Sequence, residues 1–277
     1  MAVSFVQSLH QAGDDIGAIE GAELRKDFRK FRDELIALGA LEGYREGRKV
    51  VGYMIGVGAL PKVERAVCSL DPFSYISHLS AMDWHGLTDR MPKTIFLTSP
   101  SKALWRTLSN ARLEHSLGAL LSVYQDAKLP AYHRLNMDKF RKRPLSVWSS
   151  SRLDQAYQAA YKRVENGEVR VATVGRCFLD MVREPDRCGG IYHVIEVFDE
   201  HAGSYSEQIL SELHTHGNKL EQARVGYLLE QANPGLKGHP ILEQWASEVT
   251  RGGSRKLDPA GDYSDEFSRR WALSINV

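Results

Sequence analysis

The stretch DPFSYISHLSAMDWHGLTDRMPKTIFLT, residues 71–98, decides how the chain divides. Asp71 is suited to accept the free N–H groups of a first helical turn, and Pro72 has no N–H to lose at the first helical position. Tyr75, Leu79 and Met82 recur on one face with Ile76 beside them, and Gly86 offers a left-handed stop. The spacing predicts a helix from Pro72 to Gly86. After Pro92 the run Lys93–Thr98 is β-branched and aromatic, which predicts a buried strand. Residues on the N-terminal side of this stretch have the pattern of a small basic helical module, and those on its C-terminal side have that of a larger domain. The expected class is α+β: an N-terminal winged helix-turn-helix over 1–60 and a mixed α/β domain over 70–277.

The winged-helix expectation comes from residues 22–55. Leu24, Phe28, Phe31, Leu35 and Leu38 recur at steps of four, three, four and three, one continuous apolar stripe of a helix closed by Gly39. Arg25, Arg29 and Arg32 recur along another face, with Lys26 and Lys30 next to them. Two β-prone arms then flank Glu46-Gly47-Arg48, a hairpin turn with a basic tip of Arg45, Arg48 and Lys49. A helix followed by a small basic hairpin is the layout in which one helix enters the major groove and the wing rests on the backbone. Arg25, Arg29 and Arg32 are the candidates for the groove, Lys26 and Lys30 for phosphate, and the hairpin cations for the wing. The plainer reading is a solvated helix face, because Asp27, Asp33 and Glu34 are interleaved with these cations. A short first helix is expected over Met1–Ala12.

Composition admits an ordinary globular protein, with 43% hydrophobic and 26% charged residues. No apolar run is long enough to cross a bilayer and no charged-then-apolar leader opens the sequence, so the expectation is a cytoplasmic protein with no membrane partner. The three cysteines, Cys68, Cys177 and Cys188, lack metal-ligand spacing and are expected as buried thiols. The net charge of +1 hides a division along the chain: residues 90–152 carry 12 basic and 3 acidic side chains, and residues 153–277 carry 14 and 19. A basic middle beside an acidic end suits an anionic partner, nucleic acid above all. The most basic run, RLNMDKFRKR at 134–143, is either a solvated loop or a phosphate-contacting edge, and makes Arg141, Lys142 and Arg143 secondary candidates.

Further along, helices are expected over 101–127, 175–182, 191–201, 204–214, 219–232 and 240–250, and strands over 145–148, 169–174 and 271–277. His214-x-His216 with His193 and His201 does not share a helix face and has no acidic or Cys partner at ligand spacing, so no metal or other cofactor is expected. Asp180, close in sequence to Arg176 and Arg183, is either a general base or, as the preferred reading, a structural ion pair. The carboxylates of 252–266 lie in a Gly/Pro/Asp loop rather than on the strand that a metal clamp needs.

Three segments together resemble the AbiEi-type antitoxins of type IV toxin–antitoxin (abortive infection) systems: YISHLSAMDWHGLTD at 75–89 with the strand KTIFLT, VATVGRCFLDMVREPDRCGGI at 171–191, and RRWALSINV at 269–277. The likeness runs from about residue 20 to residue 277, and departs from the family in 101–143, which is longer and more basic. The resemblance implies an N-terminal winged helix that binds inverted repeats in duplex DNA and represses its own operon. It also implies a non-enzymatic C-terminal antitoxin domain that counters a nucleotidyltransferase-like toxin without a stable complex. The expected protein is a monomer in solution that pairs on DNA. Two alternatives stay open: an enzyme acting on nucleic acid or nucleotides through residues 180–266, and an interaction module that neutralises the toxin by direct contact.

Overall fold

A computed structural model describes residues 1–46, 49–55, 61–149, 151–249 and 255–277. The chain forms two compact units, and each is discontinuous: Met1–Ser74 with Ser99–Lys142, and Tyr75–Thr98 with Arg143–Val277. In chain order the first unit begins with helices α1 (Ala2–Gln11) and α2 (Gly21–Ala37), strands β1 (Leu41–Glu46) and β2 (Lys49–Ile55), and helix α3 (Val63–Leu70). The chain then supplies β3 (Tyr75–Ile76), α4 (His78–Trp84) and β4 (Ile95–Thr98) to the second unit. It returns to the first for α5 (Lys102–Leu117), α6 (Leu121–Asp126) and β5 (Lys139–Phe140). The second unit is completed by β6 (Arg143–Trp148), β7 (Tyr161–Val164), β8 (Val169–Ala172), α7 (Val174–Arg183), α8 (Ile191–His216), α9 (Lys219–Ala232), α10 (Pro240–Glu248), β9 (Phe267–Ser268) and β10 (Leu273–Ser274). No helix among the described residues is long and apolar enough to cross a membrane.

The mixed α and β content agrees with the expected α+β class, but the division at 60–70 does not hold. Residues 99–142 belong with the N-terminal unit because α1 and α2 cannot bury their stripes alone. Phe5 and Val6 of α1 and Leu24 and Phe28 of α2 close on Leu113 and Leu117 of α5 and on Tyr124, Ala127 and Leu129. Phe5 packs against both Phe28 and Phe31, with ring centroids 5.6 and 5.0 Å apart. The α2 stripe ends before Leu38, which is 80% exposed at the helix end. Helix 101–127 is broken in two by Gly118, whose φ of +52° lies in the region that favours glycine.

Residues 72–76 overturn the predicted helix start. Asp71 does not cap a helix; it is fully buried and joins three parts of the first unit. Its Oδ1 accepts from the Phe73 N–H at 2.9 Å and from Trp105 Nε1 at 3.0 Å, and its Oδ2 accepts from the Leu135 N–H at 3.0 Å. Tyr75 and Ile76 are instead a strand, and the helix begins only at His78.

In the second unit five strands run in the order β6-β4-β3-β8-β7. β4 is parallel to β6 and antiparallel to β3, β3 is parallel to β8, and β7 is antiparallel to β8. β8 is buried along its whole length, as an interior strand must be. Thr173 caps α7 by accepting from the Arg176 N–H. α7 then packs on α8, and the two approach so closely that a Cβ on Gly175 would meet the Gln208 carbonyl at 2.5 Å. The helices expected at 191–201 and 204–214 are one element, α8, interrupted only by the non-helical Tyr205. The strand expected over 271–277 shrinks to Leu273–Ser274, because Trp271 turns inward against Gly226 and donates from Nε1 to Glu230 Oε2 at 2.9 Å.

Two buried polar groups dominate this unit. Arg176, fully buried, donates from Nε to Asp180 Oδ1 at 3.1 Å and from Nη1 to Glu212 Oε1 at 3.5 Å, tying α7 to α8. Burial alone would lower the Arg176 pKa, but Asp180, Tyr75 and Glu212 outweigh it and keep the guanidinium charged. His78 bonds Ser77 Oγ through Nδ1 at 2.8 Å while its buried Nε2 has no hydrogen-bond partner among the described residues, and burial lowers its pKa to about 4.

Replacing Asp180 with Ala removes the nearer of the two carboxylates on the buried Arg176 and is expected to cost about 3 kcal/mol in denaturant unfolding, with Asp180→Asn costing less. An Asp180→Ala chain of parental stability would show that the pair contributes nothing. The His78 shift has a defined sign: below pH 6.5 the unfolded chain takes up a proton that folded His78 refuses down to about pH 4. Stability from this group is therefore full above pH 6.5 and falls by up to about 3 kcal/mol as pH drops to 4. Unfolding curves of the parent and His78→Asn across that window measure it as the difference in slope.

Candidate nucleic-acid interface

Helix α2 and the β1–β2 hairpin carry most of the sequence candidates, and they are consecutive in the chain. The strands pair antiparallel from Leu41↔Ile55 to Glu46↔Lys49, with a bulge between Tyr44 and Arg45. A bulge raises the local twist of the strand that carries it. Arg45 is exposed beside that bulge. Arg48 lies outside the described residues, and Lys49 opens β2.

The five cations of α2 separate into three kinds. Lys26, Arg29 and Lys30 are exposed, at the i, i+3, i+4 spacing that places them on one face. Arg29 and Lys26 have no ion-pair partner among the described residues, and Lys30 reaches Glu34 only at 3.9 Å with both side chains mostly in solvent. Arg32 lies sideways on Asp33 Oδ1, donating from Nε at 2.9 Å and from Nη2 at 2.8 Å, and this hydrogen bonding raises its pKa above the ordinary value. Arg25 departs from the expectation of a groove-facing residue. It sits next to the buried Leu24, and its Nε donates at 2.7 Å to the carbonyl of Ala127, the residue that ends α6. It therefore satisfies one of the orphan carbonyls that every helix end leaves. Gly21 makes the same approach possible, since a Cβ there would meet the Ala127 N at 2.9 Å.

Arg32 and Arg45 converge on a shallow hollow of about 380 Å³ between α2 and the hairpin, shared with Asp33, Ile36, Val50 and Tyr53. Tyr53, 38% exposed, was not singled out by the sequence reading. The signal available was its place two residues before the end of a strand whose partner residue is Gly43, which leaves the ring uncovered.

The secondary candidates at 141–143 are mostly engaged within the fold. Arg141 donates from Nη1 to the Pro61 carbonyl and from Nη2 to Met54 Sδ at 3.8 Å. Its guanidinium also lies over the rings of Tyr44 and Phe140, 5.4 and 5.2 Å from their centroids. It thus braces the hairpin, which supplies Tyr44 and Met54. Arg143, in the second unit, donates from Nη2 to the Pro92 carbonyl at 2.9 Å. Lys142 remains exposed, at a turn where both it and Arg141 have positive φ.

The chemical candidates of the second unit are not brought together. Asp180 is 1% exposed and locked to Arg176, so it is not placed to take a proton from a substrate. His193 bonds Thr88 Oγ1 and Glu196 rather than the other histidines. Among the described residues no three His, Cys, Asp or Glu side chains are grouped to hold a metal. The thiols of Cys177 and Cys188 are fully buried, and desolvation pushes both well above the ordinary thiol pKa. A scan of protein-family models finds none that matches the chain, and no curated protein matches it.

The contrast between Arg141 and Lys142 is testable. Arg141→Ala should cost about 1–3 kcal/mol in urea unfolding, through lost hydrogen bonds and cation–π contacts. Lys142→Ala should stay within about 0.5 kcal/mol of the parent. Equal effects would remove the bracing role.

Proposed function

We propose that the first unit binds duplex DNA, with α2 presented to the major groove and the β1–β2 hairpin lying on the phosphate backbone as a wing. The observation that carries this reading is the exposed row Lys26, Arg29 and Lys30, followed directly in the chain by a twisted hairpin with Arg45 exposed. A solvated helix does not require that hairpin. Of the groove candidates, Arg29 is the one whose planar fork has no partner among the described residues, and that fork matches guanine O6 and N7. Arg32 can join it only by giving up Asp33. The row is flanked by the exposed Asp27, Asp33 and Glu34, so individual contacts rather than net field would do the binding.

The biological role we propose is that of an antitoxin that represses its own operon at inverted repeats and counters a nucleotidyltransferase-like toxin. Support comes from the resemblance of 75–98, 171–191 and 269–277 to the AbiEi-type antitoxins. All three segments fall in the second unit, where Ile76 pairs with Val171 and Trp271 fills the space beside Gly226. They therefore belong to one folded body rather than to scattered surface loops.

The test is a gel-shift titration on the chain's own promoter fragment at several salt concentrations. Arg29→Ala should lose about 1–3 kcal/mol of affinity and relax preference at one base pair. Lys26→Ala should weaken binding to every sequence alike and reduce the salt slope by about one. If neither substitution changes affinity while both proteins stay folded, the α2 assignment is wrong.

A further inference from the structure

The second unit contains a cleft of about 760 Å³ that the proposed DNA binding does not use. Four segments form it: the end of β6 with Trp148, the turn after it with Arg152, the end of α7 with Arg183, and the passage from α8 to α9 with His216, Asn218 and Arg224. Its size is that of a small-ligand or cofactor pocket. Two carboxylates also reach its wall, and Glu221 is fully engaged while Glu184 is only loosely paired. Glu221 takes Nε of Arg183 at 2.6 Å and Nη2 at 3.0 Å, and it also accepts from the Asn218 N–H. Glu184 lies 3.9 Å from Arg187. The carbonyls that end α8 are likewise covered, by Arg183 on His216 and by Gln222 on Leu213 and Gly217.

Arg224 is the exception. It is 7% exposed, and its Nε and Nη1 donate to the carbonyls of Lys256 and Val182, at 2.8 and 2.9 Å. Among the described residues no carboxylate bonds it. A buried cation braced only by neutral carbonyls keeps its charge at a cost. Burial lowers the Arg224 pKa accordingly, and the more distant charges of Glu221 and Asp258 do not offset it. An anion in the cleft would supply the missing partner. Arg152 adds a second positive charge to the same wall. Trp148 is half-buried, its ring set edge-on against His78 at 5.5 Å between centroids, so its orientation is fixed while part of the indole lines the cleft.

We propose that this cleft binds a nucleotide, with Arg224 and Arg152 on the phosphates and Trp148 stacked on the base. The requirement for both parts comes from the lining: an anion alone would leave Trp148 unused, and an apolar ligand would leave Arg224 unmatched. The site lies wholly within the second unit and is independent of the helix and hairpin of the first.

The full-length chain should be titrated by calorimetry with ATP, GTP and inorganic phosphate in the absence of DNA. Nucleotides should bind more tightly than phosphate. Trp148→Leu should weaken ATP by roughly fivefold or more while leaving phosphate binding as it was. Arg152→Ala, with circular dichroism confirming the fold, should weaken nucleotide and phosphate alike. Arg224→Gln should abolish both, with circular dichroism confirming that the fold survives. The proposal is overturned if the folded parent gives no heat with millimolar ATP, if ATP binds no better than phosphate, or if Trp148→Leu and Arg152→Ala both bind ATP as the parent does. A parent that shifts promoter DNA but ignores nucleotides would sink this site and leave the DNA reading intact.

Discussion

The first unit is made of two stretches separated by 24 residues that fold elsewhere, and the group that closes it is the carboxylate of Asp71. Its oxygens accept from the outgoing chain at Phe73, from the returning helix at Trp105 and from the descending segment at Leu135. Bonds to a charged acceptor are stronger than neutral ones, and a buried carboxylate that lost them would be left with an uncompensated charge. The α5 and α6 side chains that complete the core under α1 and α2 are held by this closure. So is the Ala127 carbonyl on which Arg25 rests, and through it the attitude of α2. The exposed cations of α2 are therefore positioned in part by the separate stretch 99–142, through Ala127.

The second unit solves a related problem with Arg176. A guanidinium with no access to water has to be matched by charge and by hydrogen bonds, and Asp180 one turn on and Glu212 across the helix interface provide both. Such a cluster adds little net stability compared with an apolar core of the same volume, but it punishes every alternative pairing of α7 and α8. The close approach at Gly175 acts in the same direction, because no side chain fits between the two helices there. A fixed α7–α8 corner carries Arg183, His216 and the start of α9 into one place, and their ends build the cleft around Arg224.

The sequence made some of this legible and hid the rest for identifiable reasons. The stripe of α2, the β1–β2 hairpin and the span of α9 come directly from periodicity and turn chemistry, and each is where the pattern put it. Tyr75 and Ile76 fit a helical and an extended pattern equally well; pairing with Thr98, Leu97 and Val171 decided for the strand. Gly118 was the visible mark of the break between α5 and α6, yet a lone glycine inside an apolar periodicity is compatible with a continuous helix. The short α3 and the charged β7 carried too little pattern to be read. Arg25 and Arg29 are four residues apart on the same helix, and only the position of Ala127 separates a brace from a solvent-facing fork. The cleft around Arg224 was invisible because its walls come from positions 148 to 224, and no local spacing links them.

The interleaving of the two units has a practical consequence for dissecting the protein. A fragment cut at residue 60 or 70 would carry α1, α2 and the hairpin but not Leu113, Leu117 or Tyr124, and would leave Phe5, Leu24 and Phe28 open to water. Loss of activity in such a truncation would report collapse of a half-built core rather than the absence of a partner domain. A sound dissection would excise Tyr75–Thr98 and bridge the ends with a short linker, keeping 1–74 joined to 99–142.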